Sequence, residues 1–469
     1  MAKEKKGAMT PEERLAAALV LEAEQPHEVP DNWCWVKAGA LIRLLRGVSY
    51  KKADAHAEMG ANDCLIMRGG NIGEGCLNLD AENVYVNRSL VSKEQLIRKN
   101  DVVIVSSTGS PKVIGRAGIS GEDYADVAFG AFLMVARPLL KDCAEYIDYF
   151  FQGRLYRDRI RTLASGVNIN NIRADYITNM PVPLPPLSEQ HRIRERIESL
   201  FGKLNEVETE LRDVIEHSEA RLATILSKAL AGDYTESWRK EHGISIENWQ
   251  MKTLEEITVR VFDGPFGSHL KTKDYIGSGV RVVRLENLRH LHFDDSKRSY
   301  VSEEKYEEIK AHTVLPTDII MSTFISGNMK VCQLPGHVGF AANKADCIGI
   351  RPQQEICTKF LLYYLASNET FEYLSGLIHG STRPRVNTRQ IKSIPIALPS
   401  RVEQELIANI LDEAFNKYQE AVNRTLCALR IIEHMKVTIL DKAMRGELGT
   451  NDPLEANARG LLEEALLKD

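Results

Sequence analysis

The sequence lacks the signatures of membrane, secreted and metal-dependent proteins. No uncharged apolar run of about 18 residues is present, so no membrane span is predicted. The basic residues 1–6 are not followed by the apolar stretch of a secretion signal. The eight cysteines include no CxxC pair, and the twelve histidines include no HxxxH or HExxH pair. We therefore expect reduced thiols in a cytoplasmic protein, with neither a disulfide framework nor a metal site.

Motifs of the enzymes that modify or move along nucleic acids are missing as well. The chain has no Gly-x-x-x-x-Gly-Lys-Ser/Thr loop, no Asn/Asp-Pro-Pro-aromatic motif and no glycine-rich cofactor loop. The nearest nuclease-like pattern is Asp294 followed by Glu308 and Lys310, a spacing that is frequent by chance and occurs only once here. We predict a protein without catalytic activity. A nuclease or methyltransferase with degraded motifs is the less favoured alternative.

The net charge of −5 would argue against binding to nucleic acid if it were spread evenly. Residues 1–31 have a net charge of −3 and residues 447–469 one of −4, which leaves +2 on residues 32–446. Arginines cluster in 154–173, and 379–392 has basic residues and no acid. Such clusters fit a DNA-binding surface, although solvated surface charge explains them equally well.

The chain contains two tandem copies of one sequence pattern. Collinear matches at shifts of 216 and then 214 residues extend over some 200 residues, too many to be chance. The matching pairs include Asp31–Trp33 with Glu247–Trp249, Arg68 and Asn71 with Arg284 and Asn287, Pro181–Gln190 with Pro395–Gln404, and Ile225–Gly232 with Ile439–Gly446.

Each copy begins with a mixed domain, at residues 30–185 and 246–399. Short β-branched runs such as Val102–Ser106 alternate with Gly, Asn and Pro breaks, which predicts strands and long loops. Helices are predicted over Cys143–Leu163 and Thr358–Leu377. The prolines of Pro181–Pro186 could form a ligand for an SH3-type domain, but an extended entry into the helix that follows is favoured.

Each copy ends in a long helix, predicted for 186–232 and 400–446. Apolar residues recur at steps of four and three along both segments, and each segment ends at a glycine. About 44 residues make a rod of roughly 65 Å. Since one stripe per helix needs a partner, we predict an antiparallel coiled coil of the two helices. Docking of each helix onto its own domain is the alternative.

The predicted fold class is α+β, with two tandem mixed α/β domains separated by two long helices and related by pseudo-twofold symmetry. The remaining segments are an acidic N-terminal segment, a linker between the copies and an acidic C-terminal tail. Their bounds are 1–29, 233–245 and 447–469.

This layout strongly resembles the specificity subunits of type I restriction-modification enzymes, and the resemblance covers nearly the whole chain. Asp263–Lys271 is similar to the opening of many target-recognition domains in that family, and Pro183–Gln190 and Gly232–Arg239 are similar to strings around the family's helices. The first copy departs from this pattern, because Arg46–Lys52 stands where the glycine-phenylalanine string is expected.

The resemblance implies that each target-recognition domain binds one half of an asymmetric two-part site in double-stranded DNA. The helices would set the spacing and dock two modification subunits, which bind S-adenosylmethionine and methylate adenine. Restriction subunits would add an ATP-driven motor and nuclease that use Mg²⁺, and the whole would serve as a defence against phage. This chain would hold no cofactor. The competing hypothesis is a coiled-coil scaffold that binds proteins and has no role on DNA.

Contact residues are predicted from chemistry, because phosphates need Lys, Arg and loop amides, and base edges need forked donors. A surface or turn role is about as frequent for each. In the first copy the candidates are Lys51, Lys52, Arg68, Asn71, Lys112, Arg116, Asn168, Asn170, Asn171 and Arg173. In the second copy they are Lys271, Lys273, Arg284, Asn287, Asn328, Lys330, Arg383, Arg385, Asn387 and Arg389.

Overall fold

The computed structural model describes residues 10–81, 83–165, 171–265, 269–325, 329–378 and 385–467. The chain divides into two compact units, which we call unit 1 (Met1–Glu210 with Ala428–Asp469) and unit 2 (Leu211–Cys427). Each unit therefore contains one mixed domain and part of both long helices. Within the described ranges, none of the helices combines the length and the apolar composition that crossing a bilayer would require.

The first mixed domain begins with a region of short strands, which is followed by a helical region. After helix α1 (Pro11–Ala18), its strands are β1 (Cys34–Lys37), β2 (Ile42–Arg46), β3 (Asp63–Met67), β4 (Tyr85–Asn87), β5 (Val102–Val105), β6 (Ala117–Ile119), β7 (Val127–Phe129), β8 (Leu133–Pro138) and β9 (Pro181–Leu184). Its helices are α2 (Ala144–Gln152), α3 (Arg154–Ser165) and α4 (Ala174–Thr178), and the long helix α5 (Leu187–Leu230) follows.

The second mixed domain repeats this order after helix α6 (Glu236–Glu241). Its strands are β10 (Gln250–Thr253), β11 (Thr258–Phe262), β12 (Val280–Val283), β13 (Ser299–Val301), β14 (Thr313–Val314), β15 (Ile319–Ser322), β16 (Val331–Gln333), β17 (Ala341–Asn343), β18 (Cys347–Pro352) and β19 (Pro395–Leu398). Its helices are α7 (Glu303–Ile309), α8 (Thr358–Ala366), α9 (Asn368–Gly376) and α10 (Thr388–Lys392), followed by the long helix α11 (Arg401–Met444) and by α12 (Arg459–Leu467).

The sheets of the two units have the same topology. Unit 1 has sheets ordered β2-β8-β5-β6, β4-β3-β7 and β1-β9, and unit 2 has β11-β18-β15-β16, β13-β12-β17-β14 and β10-β19. The parallel pair β3/β7 corresponds to the parallel pair β12/β17. The counterpart of β14 in unit 1 is the bridge between Leu96 and Ala128. The duplication read from the sequence is therefore also a duplication of the fold.

Strand β5 shows why the central strands are apolar at every position. Its four residues are all buried. Successive side chains point to opposite faces of a strand, and here Val102 and Ile104 join the core under α2 and α3, while Val103 and Val105 join a second core on the other face. Two covered faces leave no place for a polar residue, which explains an unbroken apolar run in place of alternation.

The helices after β8 and β18 are broken where the sequence predicts continuous helices. Gly153 separates α2 from α3 in an extended conformation. Ser367 does the same between α8 and α9, where its side chain accepts a hydrogen bond from the Thr370 amide. An extended residue cannot continue the helical hydrogen bonds, and a serine cap starts the next helix instead.

The two long helices, of 44 residues each, are present as predicted and lie antiparallel within each unit. In unit 1 the Lys436 ammonium donates to the Glu208 carboxylate over 2.8 Å, and in unit 2 the Tyr418 hydroxyl donates to Glu219 over 3.2 Å. Both helices end at left-handed glycines, Gly232 (φ 87°) and Gly446 (φ 71°), as the sequence predicts.

The apolar stripes of these helices are buried over only part of their length. In unit 1, Ile197 of α5 shares a buried core with Leu440 of α11. By contrast, stripe residues further along are exposed, Val207 and Met435 in unit 1 and Val214 and Leu426 in unit 2. The prediction of a nearly continuous seam is therefore corrected, because these positions face solvent.

The start of α11 explains the repeated Glu-Gln pair. Glu403 is fully buried, and its carboxylate accepts hydrogen bonds from Thr235 (2.7 Å), Arg239 (2.6 Å) and Trp249 (3.0 Å). The Gln404 side-chain amide donates to the carbonyl of the proline before the helix. The pair thus joins the segment after α5 to the beginning of α11.

Unit 1 has a corresponding network at the start of α5. Glu189 is also fully buried, and it accepts from Thr450 (2.7 Å) and Arg192 (2.7 Å). Arg192 also pairs with Glu455. The Gln190 amide donates to a proline carbonyl, as in unit 2. The prolines of β9 are buried in its pairing with β1, which overturns the SH3-ligand alternative.

The terminal segments belong to unit 1. Leu15 of α1 and Leu462 of α12 are both buried in its core, and the Arg14 guanidinium donates to the carbonyl of Leu466. The Asn32 side-chain amide donates to the backbone carbonyl of Asp452. The segment 447–469, predicted as an acidic tail, therefore packs against the N-terminal helix through apolar residues of α12.

Candidate nucleic-acid interface

One glycine recurs in the loop after β2 in unit 1 and in the loop after β11 in unit 2. An added Cβ at Gly47 would lie 2.1 Å from the carbonyl oxygen of Gly130, and one at Gly264 would lie 2.0 Å from the carbonyl carbon of Lys344. Only glycine fits this backbone crossing in either unit. The first copy therefore departs from the Asp263–Lys271 string but keeps the residue that the fold requires.

Two predicted contact residues, Asn71 and Asn287, have structural roles instead. Both are 1% exposed. The Asn71 side chain accepts from the Arg68 amide and donates to the carbonyl of Asn78, and Asn287 bonds in the same way to Arg284 and Asp294. They close one turn in both copies. Because their amides are buried, we correct these two predictions.

The arginines before these turns differ from each other. Arg68 is exposed, whereas the Arg284 guanidinium lies 2.8 Å from the Glu286 carboxylate and 5.3 Å above the Tyr275 ring. Arg68 is thus accessible to a ligand, while Arg284 is held by side chains of its own loop and of neighbouring segments.

Part of the basic cluster of unit 1 is neutralised by one carboxylate. Glu74 lies 2.8 Å from Arg157 and 3.6 Å from Arg116. The Arg116 guanidinium also donates to the carbonyl of Ile72, and Arg116 is half-buried. Arg173 is exposed and pairs with Asp175 at 2.5 Å. These arginines contribute less positive charge to the surface than their number indicates.

A groove of about 760 Å³ in unit 1 brings two candidates together. Lys52 and Arg68 line it, with the rings of Tyr50, His56 and Phe132. The His56 ring nitrogen lies 2.6 Å from the Asp63 carboxylate, and this hydrogen bond lowers the pKa of Asp63. The groove therefore places two cations, which contacts to phosphates require, beside aromatic surface.

The edge of this groove is built by backbone hydrogen bonds between three segments. The amides of Ser106 and Ser107 donate to the carbonyl of Phe132 over 3.0 and 3.1 Å, and the Ile172 amide donates to Ser106 over 2.7 Å. Ser107 and Asn171 form a β-bridge. Asn171 is exposed, and the Phe132 ring is 69% exposed.

Unit 2 has the same three segments with different side chains. The Thr323 amide donates to the carbonyl of Asp346 over 3.0 Å, and the Val386 amide donates to Thr323 over 2.9 Å. Phe324 and Arg385 form the bridge. The Arg385 guanidinium lies 2.8 Å from the Asp346 carboxylate and 4.4 Å above the Phe324 ring. Asp346 thus corresponds to Phe132, and Arg385 to Asn171.

The remaining candidates occupy several places. Asn387 caps α10 by accepting from the Gln390 amide, and Arg389 is exposed on that helix. Lys330 is half-buried. Five candidate lysines are exposed. Four of them lie in the matching loops of the two units, Lys51 and Lys52 in unit 1 and Lys271 and Lys273 in unit 2, and Lys112 lies beyond β5. Asn168, Asn170, Asn328 and Arg383 lie outside the described residues.

The sequence prediction missed Phe132, Phe324 and Asp346. None of them is a donor to phosphate or base, so a selection by donor chemistry passes over them. A signal existed nevertheless, because Phe132 and Asp346 are related by the shift of 214 residues and differ in chemistry. Among the described residues, no group of three His, Cys, Asp or Glu is placed to hold a metal ion.

Comparison with known proteins identifies the family. The family model of the type I restriction modification DNA specificity domain matches residues 60–217 and 246–426. The StySPI specificity subunit of Salmonella potsdam is 26% identical over 434 residues, with 90% of each chain covered. The EcoKI specificity subunit of Escherichia coli K12 is 24% identical over 432 residues, again with 90% of each covered.

The fold agrees with this assignment. A chain from a solved structure on assembly and conformational transition of a type I restriction-modification system matches 90% of this chain and all of its own length, at 18% identity and a TM-score of 0.61. Two matching regions, each with the same sheet topology, account for most of the sequence. The chain belongs to the type I restriction-modification DNA specificity family and is a specificity subunit.

Proposed function

We propose that each mixed domain binds one half of an asymmetric two-part site in double-stranded DNA, and that this chain does no chemistry itself. The observation that carries the proposal is the repetition of one sheet topology with exposed cations at matching loops. Two such surfaces joined by long helices suit a bipartite site, and their differing side chains suit two unlike half-sites.

The partners follow from the family. Two modification subunits with S-adenosylmethionine would methylate adenine, and restriction subunits with ATP and Mg²⁺ would cleave, in the cytoplasm where the host DNA lies. The exposed stripe residues support docking of modification subunits, since Val207 and Met435 in unit 1 and Val214 and Leu426 in unit 2 offer apolar surface to a partner. A pure protein scaffold would need no basic loops.

The test is a domain exchange. Residues 246–399 are replaced by the corresponding domain of a relative, the chain is expressed with the modification subunits, and the methylated motif is read by sequencing the DNA. We expect one half of the motif to change and the other half to remain. The reciprocal exchange of 30–185 is the matched control. Loss of both halves in a folded, active complex would contradict independent reading, and absence of any sequence-selective methylation would favour the scaffold.

The helices supply a second test, because their length should set the distance between half-sites. Four residues are inserted after Ser218 in α5 and four after Tyr418 in α11, since Glu219 and Tyr418 face each other. At about 1.5 Å per residue the helices lengthen by roughly 6 Å, or about one or two base pairs of DNA. A longer spacer between unchanged half-sites supports the proposal. An unchanged spacer would mean that the modification subunits fix the distance.

A further inference from the structure

The bridge beside β5 and β15 is the same in backbone and different in side chains. Both units use matching amide-to-carbonyl hydrogen bonds there, from Ser106 to Phe132 and from Thr323 to Asp346. One backbone arrangement that presents unlike side chains at one place is what two readers of different sequences need. Side chains that served only the fold would more often recur, as Asn71 and Asn287 do.

We propose that this bridge is a base-reading position and that Arg385 reads a guanine in the half-site of the second domain, an inference that rests on the proposed function. The Arg385 side chain is 54% exposed, so it is accessible to a ligand. Arginine that bonds both O6 and N7 of guanine in the major groove is the commonest specific contact between proteins and DNA.

The surroundings of Arg385 prepare its guanidinium for such a contact. One terminal nitrogen lies 2.8 Å from Asp346, and the Phe324 ring lies 4.4 Å from the guanidinium carbon. These contacts restrict the side chain before DNA arrives, which lowers the entropy lost on binding. A guanidinium has five N–H donors, so donors remain for two acceptors of a base after the bond to Asp346.

The same neighbour favours a base over a phosphate. A phosphate brought to Arg385 would approach the Asp346 carboxylate as well, and the two negative charges repel each other. Guanine O6 and N7 are neutral acceptors and avoid this repulsion. In unit 1 the matching positions are Phe132 and Asn171, and neither has charge or a guanidinium fork. The effect of Arg385 should therefore be confined to one half-site.

The experiment uses the full chain in complex with its modification subunits. Wild-type, Arg385→Ala and Arg401→Ala complexes methylate genomic DNA, and sequencing gives each motif. We expect Arg385→Ala, which removes both the charge and the fork, to relax one guanine position of one half-site. Arg401→Ala is the matched control, because Arg401 is another exposed arginine paired with a carboxylate, and it should leave the motif unchanged. The thermal unfolding temperature of each variant shows whether it is folded.

A second readout changes the DNA instead of the protein. Each guanine of the motif is replaced in turn by 7-deazaguanine, which lacks the N7 acceptor, in a duplex that carries the motif. Replacement of one guanine in the second half-site should weaken binding of the wild-type complex on the order of ten-fold. Binding of the Arg385→Ala complex should be insensitive to the replacement of that guanine alone.

Three results would overturn the inference while the proposed function stands. They are a second half-site without guanine, affinity that no 7-deazaguanine changes in that half, and an Arg385→Ala complex whose motif is intact. An Arg385→Ala complex that loses affinity equally for all sequences would indicate a phosphate contact and would also overturn it. A wild-type complex that recognises no two-part motif would instead contradict the proposed function.

Discussion

Units 1 and 2 have the same topology, yet they recur in sequence mainly at buried positions. The ion pair between Asp101 and Arg137 corresponds to that between Asp318 and Arg351, and both aspartates are fully buried. The exposed bridge residues, by contrast, share no chemistry between the units. The difference teaches that recurrence at buried positions follows the requirements of the fold, and that exposed positions which diverge on the same backbone are the ones to test for recognition.

The comparison extends to the network at the start of each long helix. Glu189 and Glu403 are both fully buried, but their arginine partners come from different places. Arg239, from α6, is 5% exposed, while Arg192 lies one turn along α5 and is more accessible to water. Water can replace a lost partner in unit 1 more readily than in unit 2. Both units therefore bury a glutamate at this position, but the glutamate of unit 2 depends more on its arginine than the glutamate of unit 1 does.

The largest predicted effect breaks that network. Arg239→Ala should destabilise unit 2 by about 3–5 kcal/mol, because it leaves the Glu403 charge buried with only neutral donors. Arg192→Ala, its matched counterpart, should cost clearly less. Urea unfolding of the full chain measures both. Replacing Glu403 by Gln in the Arg239→Ala variant should restore part of the loss. Equal effects of the two arginine variants would remove the distinction drawn between the units.

A smaller effect concerns a position where the units differ inside the core. Asp148 in α2 corresponds to Leu362 in α8, and both are buried. Burial, reinforced by the Glu145 and Asp101 carboxylates, raises the pKa of Asp148 from 3.8 to about 8. Among the described residues, its Oδ1 has no hydrogen-bond donor. Unit 1 therefore tolerates a titratable group where unit 2 has an apolar side chain.

Asp148→Asn should make unit 1 more stable at pH 8 and nearly unchanged at pH 4. As pH rises from about 4 to about 8, the unfolded chain releases a proton that the folded chain retains, so the free energy of unfolding falls. Asparagine removes this dependence. We expect a gain of a few kcal/mol at pH 8, because the stability lost through the raised pKa is regained, less the cost of burying the asparagine amide. Urea unfolding at both pH values measures it. Asp142→Asn, at an exposed carboxylate nearby, is the control, and an equal gain at both pH values would contradict the assignment.

Periodicity and self-comparison predicted the fold well, because both depend on local physics. The long helices follow from apolar spacing, their ends from the terminal glycines, and strand β5 from its β-branched run. The breaks at Gly153 and Ser367 were missed, since an apolar face continues across them. The packing of α12 was missed too, because acidic charge obscured its few buried residues.

The contact residues were harder to predict, because donor chemistry is the same in buried and exposed side chains. Asn71 and Arg68 are three residues apart, yet one is buried in a turn and the other lines the groove. Phe132 and Asp346 become candidates only when the backbone hydrogen bonds place them at one bridge. Three-dimensional equivalence, which spacing alone does not reveal, supplies that information.

The smallest predicted effect concerns positions where the units agree at the surface. In each unit an exposed loop is closed by the same hydrogen bond, from the Lys51 amide to Asp54 in unit 1 and from the Lys271 amide to Asp274 in unit 2. The phosphate backbone of DNA is the same along both half-sites. The lysines of these loops should therefore act alike, although the bases read by the two domains differ.

Replacing Lys51 and Lys52 by Ala, or Lys271 and Lys273, should weaken DNA binding of the complex about equally and leave the methylated motif intact. Each lost phosphate contact lowers the slope of log affinity against log salt by about 0.9, so each double variant should lose roughly 2. Lys240→Ala with Lys417→Ala is the control for net charge, because both lysines pair with glutamates on their own helices. A changed motif in one double variant would mean that its loop reads bases, and the surfaces would then differ there as well.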